Sequence, residues 1–133
     1  MHSATIASIN INDLSTHTRV GILIDFIQCY DLDFVFLQQM PDLAILNVMG
    51  YATYLNIGAN MCGTAIMARH EYPLTVTTLP TGHAIGVDHD GIRLVNVNAP
   101  SGMARRAHRE HFFNSEPPAL LCTASHSILI DGT

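Results

Sequence analysis

A strand–helix–strand pattern at the start of the chain constrains its fold more than any other feature. The segment TIASIN (5–10) is short and β-branched, which predicts a strand. The apolar run FVFLQ (34–38) predicts a second strand that is buried on both faces. Between them, apolar residues at spacings of three and four predict a helix from Thr18, and Thr16 or Thr18 could cap its start. The buried face of this helix would carry five residues: Val20, Leu23, Ile24, Ile27 and Tyr30. This order favours a parallel or mixed sheet, as in an α/β fold.

Short extended segments follow Pro41 and are separated by Gly, Pro, Asn or Asp, which is typical of antiparallel strands. In VDHDGIRL (87–94), Asp90 and Gly91 supply the positive φ angles that a tight hairpin turn requires. The charged segment 103–114 predicts a helix, and HSILID (126–131) predicts a last strand. Together with the first pattern, these elements predict an α/β fold, a two-sheet β-sandwich flanked by helices.

Composition limits the chain to one domain. It has 133 residues, of which 48% are hydrophobic and 13% charged, so that one core can be buried but not two. The net charge of −5 argues against a protein that binds nucleic acid by charge alone, but not against one that holds a phosphate through a metal ion. No apolar run approaches the roughly 18 residues of a membrane span, and no export signal is visible. Three scattered cysteines fit an intracellular setting.

The sequence ends soon after its last predicted strand begins. A buried strand needs neighbours for its backbone groups, so we expect residues 1–133 to form a partial domain that is incomplete at its C-terminus. Uncovered sheet edges would then favour poor solubility or self-association.

Amide side chains recur where predicted strands end: Asn10 and Asn12, Gln38 and Gln39, and Asn96 and Asn98. Each pair alone is typical of an ordinary turn. Three such strand ends together are more informative, because ligands gather at the carboxyl ends of strands in sheet folds.

Six motifs carry a family resemblance: ASININDL (7–14), DFVFLQQ (33–39), GTAIMAR (63–69), LVNVNAPSG (94–102), RRAHREHFF (105–113) and SILIDG (127–132). Their order resembles that of the endonuclease/exonuclease/phosphatase family, and within it the apurinic-type endonuclease domain of LINE-like non-LTR retrotransposons. The resemblance covers nearly the whole chain, which corresponds to the N-terminal half to two thirds of the family's domain. It implies a deoxyribonuclease I-like fold, Mg²⁺-assisted hydrolysis of DNA and a nuclear location.

The resemblance also implies site residues. Asn10 matches a family asparagine near the metal and the phosphate, Gln39 falls where the family has its metal-binding glutamate, and Asn98 falls on a catalytic tyrosine. DNA contacts are implied for Asn12, Arg105 and Arg106, although the residues alone favour an ordinary solvated helix face for the arginines.

Departures from the family's pattern predict little or no activity. An amide in place of a carboxylate at position 39 weakens the attraction for Mg²⁺ by up to about 4 kcal/mol. The family's catalytic aspartate falls on Gly132 or Thr133, and its histidine motif has no counterpart, so no general base is evident. Two alternatives stay open: a phosphatase of the same superfamily acting on a phosphorylated small molecule or lipid, and a non-catalytic binding or assembly fragment.

Overall fold

The computed structural model describes residues 4–11, 17–41, 48–57, 62–78, 83–98 and 127–131. Within these ranges lie one helix, α1 (His17–Tyr30), and eight strands: β1 (Ile6–Asn10), β2 (Phe34–Pro41), β3 (Tyr51–Ile57), β4 (Cys62–Arg69), β5 (Thr75–Thr78), β6 (Ala84–His89), β7 (Ile92–Val97) and β8 (Ser127–Asp131). Each coincides with a helix or strand that the sequence predicts. The predicted α/β fold with two sheets is therefore confirmed, whereas the second predicted helix (103–114) lies outside the described residues.

The first sheet contains the strand–helix–strand unit. Its strand order is β1-β2-β4-β3, and β1 pairs in parallel with β2, with Asn10 opposite Gln38. The other two pairings are antiparallel. A parallel pair requires a crossover connection, and α1 provides it.

The second sheet has the order β5-β6-β7-β8. The strands β6 and β7 form the predicted hairpin, and both turn residues have positive φ angles, 52° at Asp90 and 75° at Gly91. The last pair, β7 with β8, is parallel and places Asp131 beside Val97. This sheet is consequently mixed, like the first.

Strand β2 lies in the middle of the molecule and buries both faces, as its apolar run predicts. Val35 and Leu37 belong to the cluster that includes Leu23 and Ile27 of α1. Phe34 and Phe36 point the other way and pack with residues of β4, β6 and β7 between the two sheets. Burying each such side chain contributes about 2 kcal/mol, so that β2 holds the three layers together.

The buried face of α1 is shorter than the sequence predicts. Leu23 and Ile27 are buried, but Tyr30 is 62% exposed, so its prediction as a core residue is wrong. Tyr30 lies on the same side of the helix as Leu23, within roughly 20°, but it is the last residue of α1. Its ring packs instead on Phe26, at a centroid distance of 4.8 Å. Within the described residues, no helix has both the length and the apolarity to span a membrane.

Candidate functional site

The carboxyl ends of β1, β2, β7 and β8 lie at one end of the sandwich. Asn10 of β1 is opposite Gln38 of β2, and the Gln38 side chain reaches Asn96 of β7 in the other sheet. We call this the amide end and define it by six residues: Ser8, Asn10, Gln38, His83, Asn96 and Asn98. The three strand termini that the sequence singles out are therefore neighbours in space.

Asn96 connects the two sheets at the amide end. Its Nδ2 donates to the carbonyl oxygens of Leu37 (2.9 Å) and Ala65 (2.8 Å), which belong to β2 and β4. Its Oδ1 accepts a hydrogen bond from Nε2 of Gln38 (2.8 Å). Both side chains are fully buried, so these bonds form in a region of low dielectric constant, where a missing partner is costly.

The orientation of the Gln38 amide follows from that of Asn96. Because Asn96 directs its donors at two carbonyls, its oxygen faces Gln38 and requires a donor there. Nε2 of Gln38 fills this role and also donates to Ser8 Oγ (2.9 Å). Oε1 of Gln38 is buried, and no hydrogen-bond partner for it lies among the described residues. Buried amide oxygens are normally satisfied, so this one is an acceptor held in a fixed direction at the amide end.

A β-bulge interrupts β2 immediately after Gln38. The pairing with β4 passes from Gln38 opposite Thr64 to Met40 opposite Gly63, so that Gln39 has no direct partner on that strand. Bulges of this kind change the direction of the strand and are frequent beside active sites. Gln39 thus lies at the amide end and at an irregular position, while its side chain is outside the described residues.

A close approach of β3 and β4 lies beside the bulge. A Cβ atom on Gly63 would be 2.0 Å from the carbonyl oxygen of Asn56 and 2.8 Å from Cα of Ile57. Only glycine permits this approach, because both neighbours are backbone atoms. The Asn56 side chain crosses to the other sheet and donates to the carbonyl of Ala84 (2.7 Å).

His83 is held against Asn98 by two contacts. The backbone N–H of Asn98 donates to the carbonyl of His83 (2.8 Å), and Nδ1 of the His83 ring lies 2.7 Å from the carbonyl oxygen of Asn98. Since a carbonyl oxygen only accepts, Nδ1 carries the proton. Asn98 is buried and His83 is half-buried, so that the ring is the more accessible of the two.

The opposite end of the sandwich carries charges. Asp33, which precedes β2, accepts hydrogen bonds from the Thr5 backbone (2.8 Å), from Arg69 Nε (3.0 Å) and from the Tyr72 hydroxyl (2.5 Å). Arg69 also binds Asp31, and its guanidinium lies 5.6 Å from the centroid of the Tyr51 ring. We call this the charged end and define it by Asp31, Asp33, Tyr51, Arg69 and Tyr72.

The pKa values at the charged end follow from these contacts. Burial raises the pKa of Asp33, but the hydrogen bonds from Tyr72, Thr5 and Arg69 lower it by more, so that the net shift is downward. The bond to Asp33 raises the pKa of Tyr72 to about 12. The bond to Asp31 is the main reason why the pKa of Arg69 lies above its usual range. Each ionised group is therefore stabilised by a partner of opposite charge or by a donor.

The acidic side chains that the structure describes are distributed unequally between the two ends. Apart from Asp25 on α1, every acidic side chain that the structure describes lies at the charged end or at the hairpin next to it: Asp31, Asp33, Glu71, Asp88 and Asp90. Asp88 is paired with Arg93 (2.6 Å), and this bond is the main cause of its lowered pKa. Among the described side chains of the amide end, none is acidic and His83 is the one that can ionise.

The structure places three of the six residues that the sequence predicts for the site. Asn10, Gln39 and Asn98 all lie at the amide end, and their assigned roles stay predictions. Asn12, Arg105 and Arg106 lie outside the described residues. Sequence reasoning did not assign Gln38 or His83 to the site and gave Asn96 no role of its own. The period-two alternation Phe36–Gln38 and Leu94–Asn96 would have placed both amides inside the sandwich.

The described side chains do not fit a tight magnesium site. Mg²⁺ binds through oxygen ligands, and carboxylates among them neutralise its charge. The amide end offers the neutral oxygens of Asn10, Gln38 and Asn98 and, within the described residues, no carboxylate. No group of three or more His, Cys, Asp or Glu residues that could hold a metal is found in the described part of the chain. The side chains of Gln39 and Asp131 are outside it.

Solved structures of TDP2 share this fold. A humanized D. rerio TDP2 superposes with a TM-score of 0.70 and 19% identity over 95% of this chain. TDP2 from C. elegans gives a TM-score of 0.69 and 14% identity over 95% of this chain. The chain spans 59% and 45% of the length of these two structures. The deoxyribonuclease I-like fold predicted from the sequence is thereby confirmed. No protein-family model matches the chain, and no curated protein matches its sequence significantly.

Proposed function

We propose that this chain is a nucleic-acid-binding domain of the endonuclease/exonuclease/phosphatase type, and that it hydrolyses phosphodiesters slowly or not at all. The observation that carries the proposal is that the carboxyl ends of β1, β2 and β7 meet at one end of a deoxyribonuclease I-like sandwich. The side chains described there include neutral amides and a histidine. In sheet folds this is the edge at which ligands bind.

Two independent features support a nucleic acid as the ligand. The six sequence motifs occur in the order seen in the DNA endonuclease domain of non-LTR retrotransposons, and the fold is shared with the TDP2 structures. Descent from a retrotransposon endonuclease, and with it a nuclear location, is part of this proposal.

The chemistry of the amide end supports low activity. Metal-assisted hydrolysis needs a cation that polarises the phosphate and a base that takes a proton from water. Gln39 replaces the family's charged ligand, and the neutral oxygens of Asn10 and Asn98 do not compensate for the lost charge. We therefore expect Mg²⁺ to bind weakly.

A plasmid-nicking assay tests the proposed lack of hydrolysis. Supercoiled plasmid is incubated with the protein and Mg²⁺, and with EDTA as the control. We expect no conversion to the open circular form above the rate of plasmid alone, for the wild type and for Gln39→Glu, because one added carboxylate does not supply the missing base. Mg²⁺-dependent nicking that disappears in Asn98→Ala would contradict the proposal.

Further parts of the proposal concern residues outside the described ranges. Contacts of Asn12, Arg105 and Arg106 with the DNA backbone are supported by the family resemblance and by the positive charge of the arginines. Neutralising a phosphate releases counterions. Arg105→Ala should therefore reduce the slope of log K for DNA binding against log salt concentration by about one unit.

Self-association through the edge strands β1, β3, β5 and β8 also stays a prediction. The elution volume on size exclusion at two protein concentrations tests it.

A further inference from the structure

We propose that Asn96 is a positioning residue for ligand binding at the amide end. It holds the end of β7 in register with the end of β2, and in this way it sets where Asn98 lies relative to Asn10. Asn96 is fully buried, so it acts through these neighbours and not by touching the ligand. This inference rests on the proposed function, since it assigns a role in binding to a residue of the same end.

Three hydrogen bonds of Asn96 cross from one sheet to the other. The two hydrogens of Nδ2 go to different strands, one to the carbonyl of Leu37 on β2 and one to that of Ala65 on β4. Leu37 and Ala65 lie opposite each other in the pairing of β2 with β4, so Asn96 bridges a paired position. Its Oδ1 accepts the third bond, from Gln38. One side chain of β7 is therefore fixed against two strands of the first sheet.

Apolar packing alone would fix this register less strictly. The cluster between the sheets includes Phe36, Ile66 and Leu94, and contacts among apolar side chains have no preferred direction. A hydrogen bond, in contrast, weakens steeply when its angle departs from linear. Because the three bonds of Asn96 are buried, breaking one without a replacement is costly. Asn96 therefore selects one alignment of the two sheets at this end.

The residues predicted to contact a ligand depend on the same alignment. Asn98 follows Asn96 by two positions, and its bond to the His83 carbonyl continues the pairing of β7 with β6. It keeps 8% exposure, whereas Asn96 has none. Asn10 lies opposite Gln38 in the pairing of β1 with β2. A shift of β7 relative to β2 consequently moves Asn98 relative to Asn10, and binding groups must keep their relative positions to within roughly 0.5 Å.

A purely structural role of Asn96 predicts a different result. If Asn96 only stabilised the fold, every folded variant would bind DNA as the wild type does. If Asn96 positions Asn98, the affinity lost on removing Asn96 depends on whether Asn98 is present. A double-mutant cycle on DNA affinity separates the two accounts.

The cycle uses Asn96→Ala and Asn98→Ala, made singly and together. Asp33→Asn is the control for lost stability, because it weakens a set of three hydrogen bonds at the charged end. Gln38→Met is a milder variant, since it removes one of the three bonds of Asn96 and leaves the other two. Urea unfolding identifies conditions under which each variant is folded, and affinity is measured there.

Fluorescence anisotropy with a fluorescein-labelled DNA duplex of random sequence measures affinity at one salt concentration, with Mg²⁺ and separately with EDTA. We expect Asn98→Ala to weaken binding about tenfold, as loss of a hydrogen bond to a charged group predicts, and Asn96→Ala by a similar factor. The double variant should bind within about twofold of the weaker single variant, because the two substitutions disable the same contact. Gln38→Met should lose about threefold, a smaller part of the same effect. Asp33→Asn should match the wild type.

The possible failures are distinguishable. If the wild type binds no DNA in either buffer, the proposed function fails and this inference with it. If the wild type binds DNA and folded Asn96→Ala binds equally well, the inference alone is overturned. It is also overturned if Asn98→Ala binds like the wild type, or if the losses of the two single variants multiply in the double variant.

Two further outcomes concern stability. An equal loss of affinity in Asp33→Asn would overturn the inference, because instability would then account for the loss in Asn96→Ala. If Asn96→Ala does not fold, Gln38→Met takes its place in the cycle with Asn98→Ala. Its loss of affinity must then disappear when Asn98 is absent, and a loss that persists overturns the inference.

Discussion

The two ends of the sandwich are built by the same strands but differ in their polar chemistry. At the charged end, Asp33 receives three donors and Arg69 binds two carboxylates. At the amide end, Gln38 and Asn96 are neutral and fully buried, and Oε1 of Gln38 has no hydrogen-bond partner within the described part of the chain. Strand β1 joins the two ends over only five residues, or roughly 17 Å.

This difference separates stability from function. Paired charges with several donors hold the amino ends of β1 and β2 to the end of β4. A buried amide with an unmatched acceptor costs free energy, about 1–3 kcal/mol, and persists where the surrounding structure enforces it. The amide end also has the bulge and the glycine contact, both of which are irregularities of the backbone. We infer that the charged end stabilises the fold while the amide end is shaped for binding.

The largest effect is expected from Gly63→Ala at the amide end. The new Cβ would overlap the backbone of Asn56, so β3 and β4 must separate, and we expect a loss of at least about 3 kcal/mol in the free energy of unfolding. Gly21→Ala on α1 is the control, since a Cβ there meets nothing within 4 Å. It should be neutral or stabilise the protein by up to about 1 kcal/mol. Urea unfolding measures both, and equal effects would refute the close approach.

Asn96→Ala should cost nearly as much, about 3 kcal/mol. It removes two bonds to backbone carbonyls and leaves the buried Nε2 of Gln38 with one partner fewer. The control is Asn56→Ala, which removes the bond to the Ala84 carbonyl and should cost about 1 kcal/mol. A smaller loss for Asn96→Ala than for Asn56→Ala would show that Asn96 does not connect the sheets in this way.

Asp33→Asn tests the charged end and should cost about 2 kcal/mol at pH 7, because a carboxylate that accepts three donors becomes a neutral amide. The pKa of Asp33 is lowered in the folded protein. The ionised carboxylate therefore contributes to the free energy of unfolding above its ordinary pKa of about 4, and this contribution is lost as the pH falls through the lower pKa of the folded state. The difference between wild type and variant should therefore shrink below pH 4. A difference independent of pH from 7 to 2 would mean that the charge is not responsible. Asp25→Asn on the exposed side of α1 is the control.

The smallest effect is expected from Gln38→Met, which should lower the free energy of unfolding by about 1 kcal/mol. The substitution removes the two bonds donated by Nε2 and leaves the buried Oδ1 of Asn96 without this donor, but it also removes the buried, unmatched Oε1, so that one unmatched acceptor replaces another. A loss above about 3 kcal/mol, comparable with Asn96→Ala, would show that Oε1 is satisfied in solution, for example by a buried water.

Local signals in the sequence predicted the elements but not their assembly. The apolar period of α1 and the Asp90–Gly91 turn act over a few residues, and both were found from the sequence. The prediction fails at Tyr30, the last residue of α1, because periodicity gives the side of the helix on which a residue lies and not how far along the helix the packing extends. The division into two sheets depends on pairings such as β7 with β8, which lie about thirty residues apart in the sequence and leave no local trace.

The candidate site was predicted in part for the same reason. Polar residues at strand ends predicted that three strand termini lie together, and the structure places them at one end of the sandwich. The bond between Gln38 and Asn96 spans 58 positions, and the His83 contact depends on β6 and β7 pairing in one register, so neither follows from motif spacing. The bulge at Gln39 does not follow from motif spacing either, because it arises from the pairing of β2 with β4.

The most direct test of the difference between the two ends is to observe side-chain amide and histidine signals by NMR while DNA is added in EDTA. We predict that the shifts concentrate on Asn10, Asn98 and His83, and that the signals of Arg69 and His70 at the opposite end do not move. Shifts that concentrate on Arg69 and its neighbours instead, or saturable DNA binding that leaves the amide end unperturbed, would contradict the account.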